Sequence, residues 1–480
     1  MSGADALEAI IGSFGKYQAW VVFLVTIARY PVEFQLNNVV FIIPGVEYIC
    51  LDENASNGTK VCPCSNPEYD TSAIVSSVVT EWNLICDRTS LASLAQSMMQ
   101  IGILGGSLIF GHISDRYGRK LSSLLSLLLQ VLFVAISAVI TEFWMFLVCR
   151  FLIGVTVGGV MLCCYVLIIE YSGKSFRPYL VGLSEVSFIT GYMVLPLIAY
   201  YVRDWRNLQL WTSLPWIFLI SYYWLLPESP RWLISVGRKK EAVELLAYIA
   251  KKNNRSVDNI EEIVEKIENE KPASYPELFK TPKIRMYAFI TALVWMLCAH
   301  TFFGINQYIG RLQGNLYLNV FLSATFLIPG IFLVVLATLY LKRKISVTMS
   351  FCTAAISLII IIFIPSEMTT AILIFAIIGQ MGGYTTFVQV YLYSSEVFPT
   401  VIRNSAMGFA SVFGRFGGFI APFVVNIGIE WVSLTIFSGL AFCAVILVQF
   451  LPETKGTVLI NTIEETERRG NKTEPQLSAQ

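Results

Sequence analysis

Histidine is nearly absent from this chain: His112 and His300 are the only two in 480 residues. No set of Cys, Asp or Glu stands near either at ligand spacing, so neither a His-based metal centre nor an acid–base pair can be assembled from local sequence. A phosphate-cradling Gly-x4-Gly-Lys-Ser/Thr segment is also missing, which removes the usual nucleotide-hydrolysis machinery. Charged residues are scarce, at 14% against about 25% in soluble domains. The net charge of +1 by itself says nothing about nucleic acid, and no nucleic-acid partner is expected. The chain reads as a non-enzyme without a cofactor. Apolar residues take up the space, with 55% hydrophobic positions and a mean hydropathy of +0.64.

Those residues come in runs of about twenty, the length that crosses a bilayer. Twelve such runs can be marked, from 17–43 through 178–201, 208–226, 317–341 and 404–427 to 431–451. None shows the alternation of a lipid-facing strand, so they predict helices and an all-α membrane protein. Lys and Arg collect in alternate connections: Arg116, Arg119 and Lys120; Lys174 and Arg177; the segment 229–285; and Lys342 to Lys344. The positive-inside rule places these and both termini in the cytoplasm of a plasma-membrane protein. The resulting map is a cytoplasmic N-terminus at 1–16, six helices in 17–226 with an outside loop at 44–90, and a cytoplasmic linker at 227–285 carrying short amphipathic helices. Six more helices occupy 286–451, and a polar cytoplasmic tail fills 452–480.

The outside loop supports this orientation. Asn54-Ala-Ser56 and Asn57-Gly-Thr59 are glycosylation acceptors there. Cys50, Cys62, Cys64 and Cys86 form an even set in an oxidising compartment and predict two disulfides. Pairing Cys62 with Cys64 is ruled out by reach; the other pairings stay open.

The two halves repeat each other. Glu170 precedes Arg177 as Glu396 precedes Arg403, Pro227-Glu228 answers Pro452-Glu453, and Arg119-Lys120-Leu-Ser122 answers Arg343-Lys344-Ile-Ser346. Three echoes in register predict two six-helix halves of one orientation with a substrate cavity between them, the plan of a secondary transporter. A ring of Asp115, Arg116, Arg119, Glu170, Arg177, Glu228, Glu396, Arg403 and Glu453 is read as a cytoplasmic gate whose pairs each contribute about 1 kcal/mol or less. A purely orienting role for the same residues is the alternative. The second copy lacks counterparts of Asp115 and Gly118, so weaker or different closing contacts are expected there.

Charges inside the spans are few, and each needs a partner or a wet cavity, since an isolated one costs about 3 kcal/mol. Arg29 and Glu33 are one turn apart and placed to neutralise each other. Arg150 stands near the outer end of its span, within snorkelling reach. Glu185 fits packing, contact with a substrate cation, or coupling to an ion. Arg415, in Phe413-Gly-Arg415-Phe-Gly417-Gly418, has no acid within a turn. It suits a carboxylate or sulfate held through paired N–H donors, the alternative being an acid such as Glu33 or Glu185 on another helix. Aromatic side chains near glycines, including Phe302, Phe303, Tyr384 and Phe387, are candidates to line an amphipathic cavity.

The stretch Gly111-His-Ile-Ser-Asp115-Arg116-Tyr-Gly118-Arg119-Lys120 resembles the short loop after the second helix of the major facilitator superfamily. Asp204-Trp205-Arg206, Pro227-Glu-Ser-Pro-Arg-Trp-Leu-Ile-Ser235 and Tyr393-Ser-Ser-Glu396-Val-Phe-Pro399-Thr-Val-Ile-Arg403 resemble the organic ion transporters of solute carrier family twenty-two. The resemblance implies the major facilitator fold and transport of small organic ions. It also implies that Arg415 occupies a position held by Arg in anion and carnitine-type members and by Asp in cation transporters. Pocket positions carried over from it are Asn38, Tyr222, Phe302, Phe303 and Phe387. The lysine that anion transporters place two residues after the proline of the eighth helix is here Ile331, after Pro329. One strong cation suits a monoanion, or a zwitterion if Glu33 or Glu185 meets its positive end. Anions or carnitine-like zwitterions are therefore expected first; organic cations, or a nontransporting receptor or scaffold of this fold, are the alternatives. The sequence does not name an exchange substrate or a coupling ion.

Overall fold

A computed structural model describes residues 3–51, 62–173, 176–255, 259–266, 275–399 and 401–456. Asn54 and Asn57 lie outside the described residues, as does the tail beyond 456. The long helices, in chain order, are α1 (Lys16–Asn37), α2 (Thr89–Tyr117), α3 (Arg119–Ser137), α4 (Phe143–Tyr171), α5 (Arg177–Tyr201), α6 (Trp205–Ser213) and α7 (Pro282–Ile309). They continue with α8 (Leu316–Thr325), α9 (Leu327–Tyr340), α10 (Arg343–Phe363), α11 (Thr369–Val397), α12 (Arg403–Val425) and α13 (Glu430–Gln449). Among the described residues, ten helical stretches are long and apolar enough to cross a bilayer.

Two predicted spans lose α-helical continuity at a proline. The sixth, expected over 208–226, passes from α6 into a 3-10 segment, Leu214–Ser221, because Pro215 has no N–H to give the Trp211 carbonyl. The eighth, expected over 317–341, divides at Phe326, where Pro329 cannot bond the Thr325 carbonyl one turn back.

The chain forms two compact units, one of residues 1–270 with 315–325 and one of 271–314 with 326–480. In the first, α2 packs most extensively on α4, α3 also lies on α4, and α1 packs on α5 and α4. The close α2–α4 approach has a simple cause: Gly102 and Gly106 meet the Phe151 and Val155 carbonyls, while Gly154 and Gly158 meet those of Met99 and Ile103. Small residues four apart on both helices let backbones touch where lipid supplies no hydrophobic drive. A side chain there strikes backbone, which no rotamer relieves. Gly106→Leu is expected to destabilise the protein by more than the about 1–3 kcal/mol of ordinary overpacking. The check is the melting temperature of purified protein, and a wild-type value would show that the contact is not limiting.

The segment α8 belongs to this unit through α5, with Tyr192 and Ser323 hydroxyls 3.3 Å apart and the Tyr317 hydroxyl donating to the Ala73 carbonyl at 2.7 Å. The loop before α2 carries a two-stranded antiparallel sheet, Tyr48–Cys50 with Pro67–Tyr69. Disulfides Cys50–Cys64 and Cys62–Cys86 close it, resolving the pairings the sequence left open. Linker helices Lys239–Lys252 and Ile260–Glu265 bury Leu246, Ile249, Ile260 and Val264 against this unit.

In the second unit α7 is central, lying on α12, α11 and α13, and α10 packs on α11 and α13. Gly417 of α12 touches the Met296 carbonyl and Gly304 touches the Phe437 ring, again small residues at the tightest crossings.

Candidate functional site

Helix α2 stops because Gly118 takes φ +102°, a conformation in which any Cβ would also strike the Glu228 carboxylate. The turn points the next residue, Arg119, back across the helix ends. Its Nε and Nη2 donate to the two oxygens of Glu170 at 3.1 and 3.0 Å, and its Nη1 donates to Asp115 Oδ1 at 2.7 Å. Glu228 Oε1 accepts the backbone N–H groups of Arg119 and Ser229, both at 2.9 Å, and of Lys120 at 3.2 Å, so a carboxylate caps the positive end of α3. Two aromatic groups fasten the cluster: Trp232 Nε1 donates to the Asp115 carbonyl and the Tyr171 hydroxyl to the Glu228 carbonyl.

The second unit repeats this chemistry. Arg343 Nε and Nη2 donate to the oxygens of Glu396, each at 3.0 Å, and Glu453 accepts the N–H groups of Arg343 at 2.8 Å and Lys344 at 3.1 Å. The Tyr393 hydroxyl donates to the Pro452 carbonyl, as Tyr171 does to Glu228. The pairs stand 51 residues apart in the first unit and 53 in the second, the caps 109 and 110. One arm differs: where Arg119 reaches Asp115, Arg343 Nη1 donates to the Thr338 carbonyl at 3.0 Å.

The structure supplies partners that the sequence left unspecified. Glu396 bonds Arg343, a residue outside the predicted ring, and Arg403 instead donates to the Phe398 carbonyl at 3.5 Å. The cause is antiparallel packing, which sets the end of α4 beside the start of α3 and the end of α11 beside the start of α10. The closing contacts of the second copy, expected to be weaker or different, differ in the one arm that lacks an acid. Arg116 lies 5.5 Å from the Tyr117 ring and makes no ion pair among the described residues. Arg177 opens α5, its side chain lying outside the described residues.

The two caps differ electrostatically. Burial pushes the Glu228 carboxyl above its ordinary value, only partly offset by N–H donors, whereas at Glu453 four backbone N–H groups outweigh burial and hold it below. A lowered value means that the charged Glu453 stabilises this arrangement above the usual carboxylate range, and that the benefit disappears as pH falls through the depressed value. For Glu228 the sign is opposite, because the buried charge opposes the arrangement until it is protonated. Glu453→Gln is therefore expected to lower the melting temperature at neutral pH more than Glu228→Gln does, the two converging in acid. Equal effects at neutral pH would contradict this.

Deeper in the helices, Arg29 Nη2 donates to Glu33 Oε1 at 2.9 Å. Arg150 does not snorkel: it is wholly buried, its Nη2 on Met99 Sδ at 3.4 Å, with Nε and Nη1 lacking any partner. Asn38 is also fully buried, donating to Gln35 and Gln209, with Oδ1 unpartnered, and Tyr222 lies in the first unit's core. In the second unit, the Phe302 ring meets Phe303 edge-on and Phe387 and Tyr384 at a tilt, at centroid separations of 5.3, 5.8 and 6.3 Å. Phe302 is buried, and Phe303 and Phe387 are half-buried.

Arg415 is half-buried and, among the described residues, makes no ion pair or hydrogen bond, so the alternative of an acid on another helix finds no support in the geometry. Helix α12 explains its setting. Ala406, Ala410, Gly414, Gly417 and Ala421 form the buried face, and Phe416 and Ile420 are exposed on another. Asn404, Gly408, Ser411 and Arg415, at spacings of four, three and four, make a separate stripe that carries the polar side chains beyond the first residue of the helix and outside its packed face. A groove of 630 Å³ lined by Lys120, Tyr223, Glu228, Arg238 and Glu241 lies at the linker and does not include Arg415.

Residues 53–465 match the family described as "Sugar (and other) transporter". The chain belongs to that family. Within it, the chain is 35% identical over 440 residues to the "Organic cation transporter protein" of Drosophila melanogaster, covering 89% of this chain and 80% of the relative. It is 32% identical over 406 residues to the human "Organic cation/carnitine transporter 2", covering 83% and 73%. Among solved structures, the xylose transporter XylE of E. coli in an inward open conformation superposes with a TM-score of 0.68 at 18% identity, covering 94% of this chain and all of that one. The fold is thus the major facilitator fold, and the chain is a multi-pass membrane protein related to solute carrier family 22 transporters, not an enzyme.

Within this transporter family setting, Arg343, Tyr171 and Trp232 are the site residues that sequence reasoning omitted. Arg343 had a visible signal, the Arg-Lys-x-Ser echo; a tyrosine bonding a distant carbonyl has none.

Proposed function

We propose that this chain is an alternating-access secondary transporter that carries small amphipathic organic ions across the plasma membrane, with organic anions or carnitine-like zwitterions as its main substrates. The observation that carries the reading is Arg415, a partly exposed guanidinium without an ion pair among the described residues, on the polar stripe of α12. An unneutralised Arg at membrane depth is costly unless it meets water or an anion. A planar fork of N–H donors matches a carboxylate. Phe303 and Phe387, half-exposed beside Phe302, give an amphipathic substrate an aromatic wall. Asn38 and Tyr222, both buried, take part only in a conformation that opens them.

In this reading the Arg119–Glu170 and Arg343–Glu396 clusters lie on the cytoplasmic side, with both termini, and act as latches that break and re-form during transport. The loop carrying Asn54 and Asn57 is extracellular and glycosylated. A second reading, organic cation transport, is favoured by the name of the Drosophila relative. Uptake of labelled benzoate, carnitine and tetraethylammonium in one expression system tests the order. Preferred uptake of benzoate or carnitine supports the first reading, and preferred tetraethylammonium supports the second.

A further inference from the structure

Glu33 presents a problem that its partner does not solve. The side chain is 1% exposed, one turn before the end of α1. Arg29 occupies Oε1 at 2.9 Å, while Oε2 is buried with no hydrogen-bond partner. Helix α5 presses close at this level: a Cβ on Gly191 would stand 2.9 Å from Glu33 Cβ, and the Tyr30 and Thr190 hydroxyls meet at 2.9 Å. From the same helix Glu185 adds a second acid that acts on both Arg29 and Glu33. One guanidinium therefore faces two carboxyl groups, one with a bare buried oxygen. Leaving a buried carboxylate oxygen unsatisfied is costly.

The surrounding groups restrict what can relieve it. Glu33 is approached by Arg29 from its own helix and by Glu185 from α5; Tyr30 stands beside it at Gly191, and Cys164 of α4, which in turn faces Tyr222, acts on Arg29. Helix α6 contributes Gln209 and Thr212, already bonded to Gln35. The linker helix Lys239–Lys252 meets α1 near Tyr17, where Tyr248 is 5.5 Å away. A metal cation needs several oxygen ligands and would sit against the Arg29 guanidinium; an organic cation does not fit a side chain this enclosed. A proton needs only the bare oxygen.

We propose that Glu33 is a proton-binding site, with Oε2 as the acceptor, and that proton uptake and release there is linked to substrate movement by this chain. The second clause rests on the transporter reading above. An O–H bond forms at Oε2 when the α1–α5 contact opens to water on one side of the membrane. It breaks when the site opens to the other side, leaving Arg29 to hold the carboxylate.

The test uses full-length protein in proteoliposomes. Infrared difference spectra across a pH series should show the carbonyl band of a buried protonated carboxyl group, absent in Glu33→Gln and present in Glu185→Gln. Arg29→Gln, which removes the cation competing with the proton, should move the titration of that band to higher pH. A band that persists in Glu33→Gln, or one that Arg29→Gln does not move, overturns the site. An imposed pH gradient should drive carnitine or tetraethylammonium accumulation in wild type and lose that effect in Glu33→Gln. Carriage of a probe without any gradient effect overturns the linkage. If no probe is carried, the transporter reading fails, while the infrared titration still decides the site.

Discussion

Arg415→Asp should reduce uptake of a carboxylate probe such as benzoate by at least about 100-fold at unchanged surface expression. A charge-assisted, paired hydrogen bond contributes about 1.5–3 kcal/mol, and each 1.4 kcal/mol is tenfold in affinity. Deleting the guanidinium alone thus accounts for roughly 10- to 100-fold, and placing a carboxylate there adds repulsion. Arg415→Lys separates geometry from charge, because an ammonium keeps the sign and loses the planar fork, so an intermediate loss is expected. The informative number is the ratio of benzoate to tetraethylammonium uptake, which cancels differences in expression. If that ratio is the same in Arg415→Asp as in wild type, Arg415 does not select the substrate and the anion reading falls with it. The stripe on α12 predicts in addition that Ser411→Phe, one turn away, obstructs the same path, while Phe416→Ala, on the exposed face, leaves uptake near wild type.

How far the sequence reaches can be judged from single residues. Hydropathy locates the helices because a bilayer demands about twenty apolar residues and internal backbone bonding. It fails at Pro215 and Pro329, where the apolar run continues and one missing N–H breaks the helix. Periodicity finds Glu170, Glu396, Glu228 and Glu453, since duplicated geometry leaves duplicated residues. It leaves their partners open, because Arg119 and Arg343 stand 51 and 53 residues away and are close only in space. Arg150 shows a different limit. Its position near a helix end suggested snorkelling, but rotation about the helix axis turns it toward Met99 and the α2 crossing, and that rotation is set by the glycines Gly154 and Gly158. Asn38 looked like a cavity residue by resemblance, yet its amide is spent on Gln35 and Gln209 within the helices. Arg415 was legible because no neighbouring acid accounts for it, and the fold adds none among the described residues.

Breaking the Arg343–Glu396 pair should affect the protein more than breaking the Arg119–Glu170 pair, although the two look alike. Both arginines are largely enclosed, with side chains 12% and 16% exposed, and both glutamates accept two N–H donors. Removing one partner of an enclosed pair strands the other, at a cost on the order of 3 kcal/mol. The difference lies in what each arginine retains. After Glu170→Gln, Arg119 still has Asp115 at 2.7 Å, an acid 77% exposed that can follow it. After Glu396→Gln, Arg343 has the Thr338 carbonyl and, among the described residues, no second carboxylate within ion-pair distance. Glu396 also accepts the Thr454 hydroxyl at 2.6 Å, so its neutralisation loosens the segment that carries the Glu453 cap as well. The expected result is a clearly lower melting temperature for Glu396→Gln than for Glu170→Gln, with the gap removed when Asp115→Asn is added to the latter. A charge exchange, Arg343→Glu with Glu396→Arg, should recover part of the loss by restoring the pair. It cannot recover all of it, since the exchanged glutamate would sit beside Glu453 at the start of α10 and the exchanged arginine would lose the Thr454 hydroxyl. If instead Glu170→Gln is the more damaging change, Asp115 is not a reserve partner and the two ends of the fold are held by different means from those their hydrogen bonds indicate.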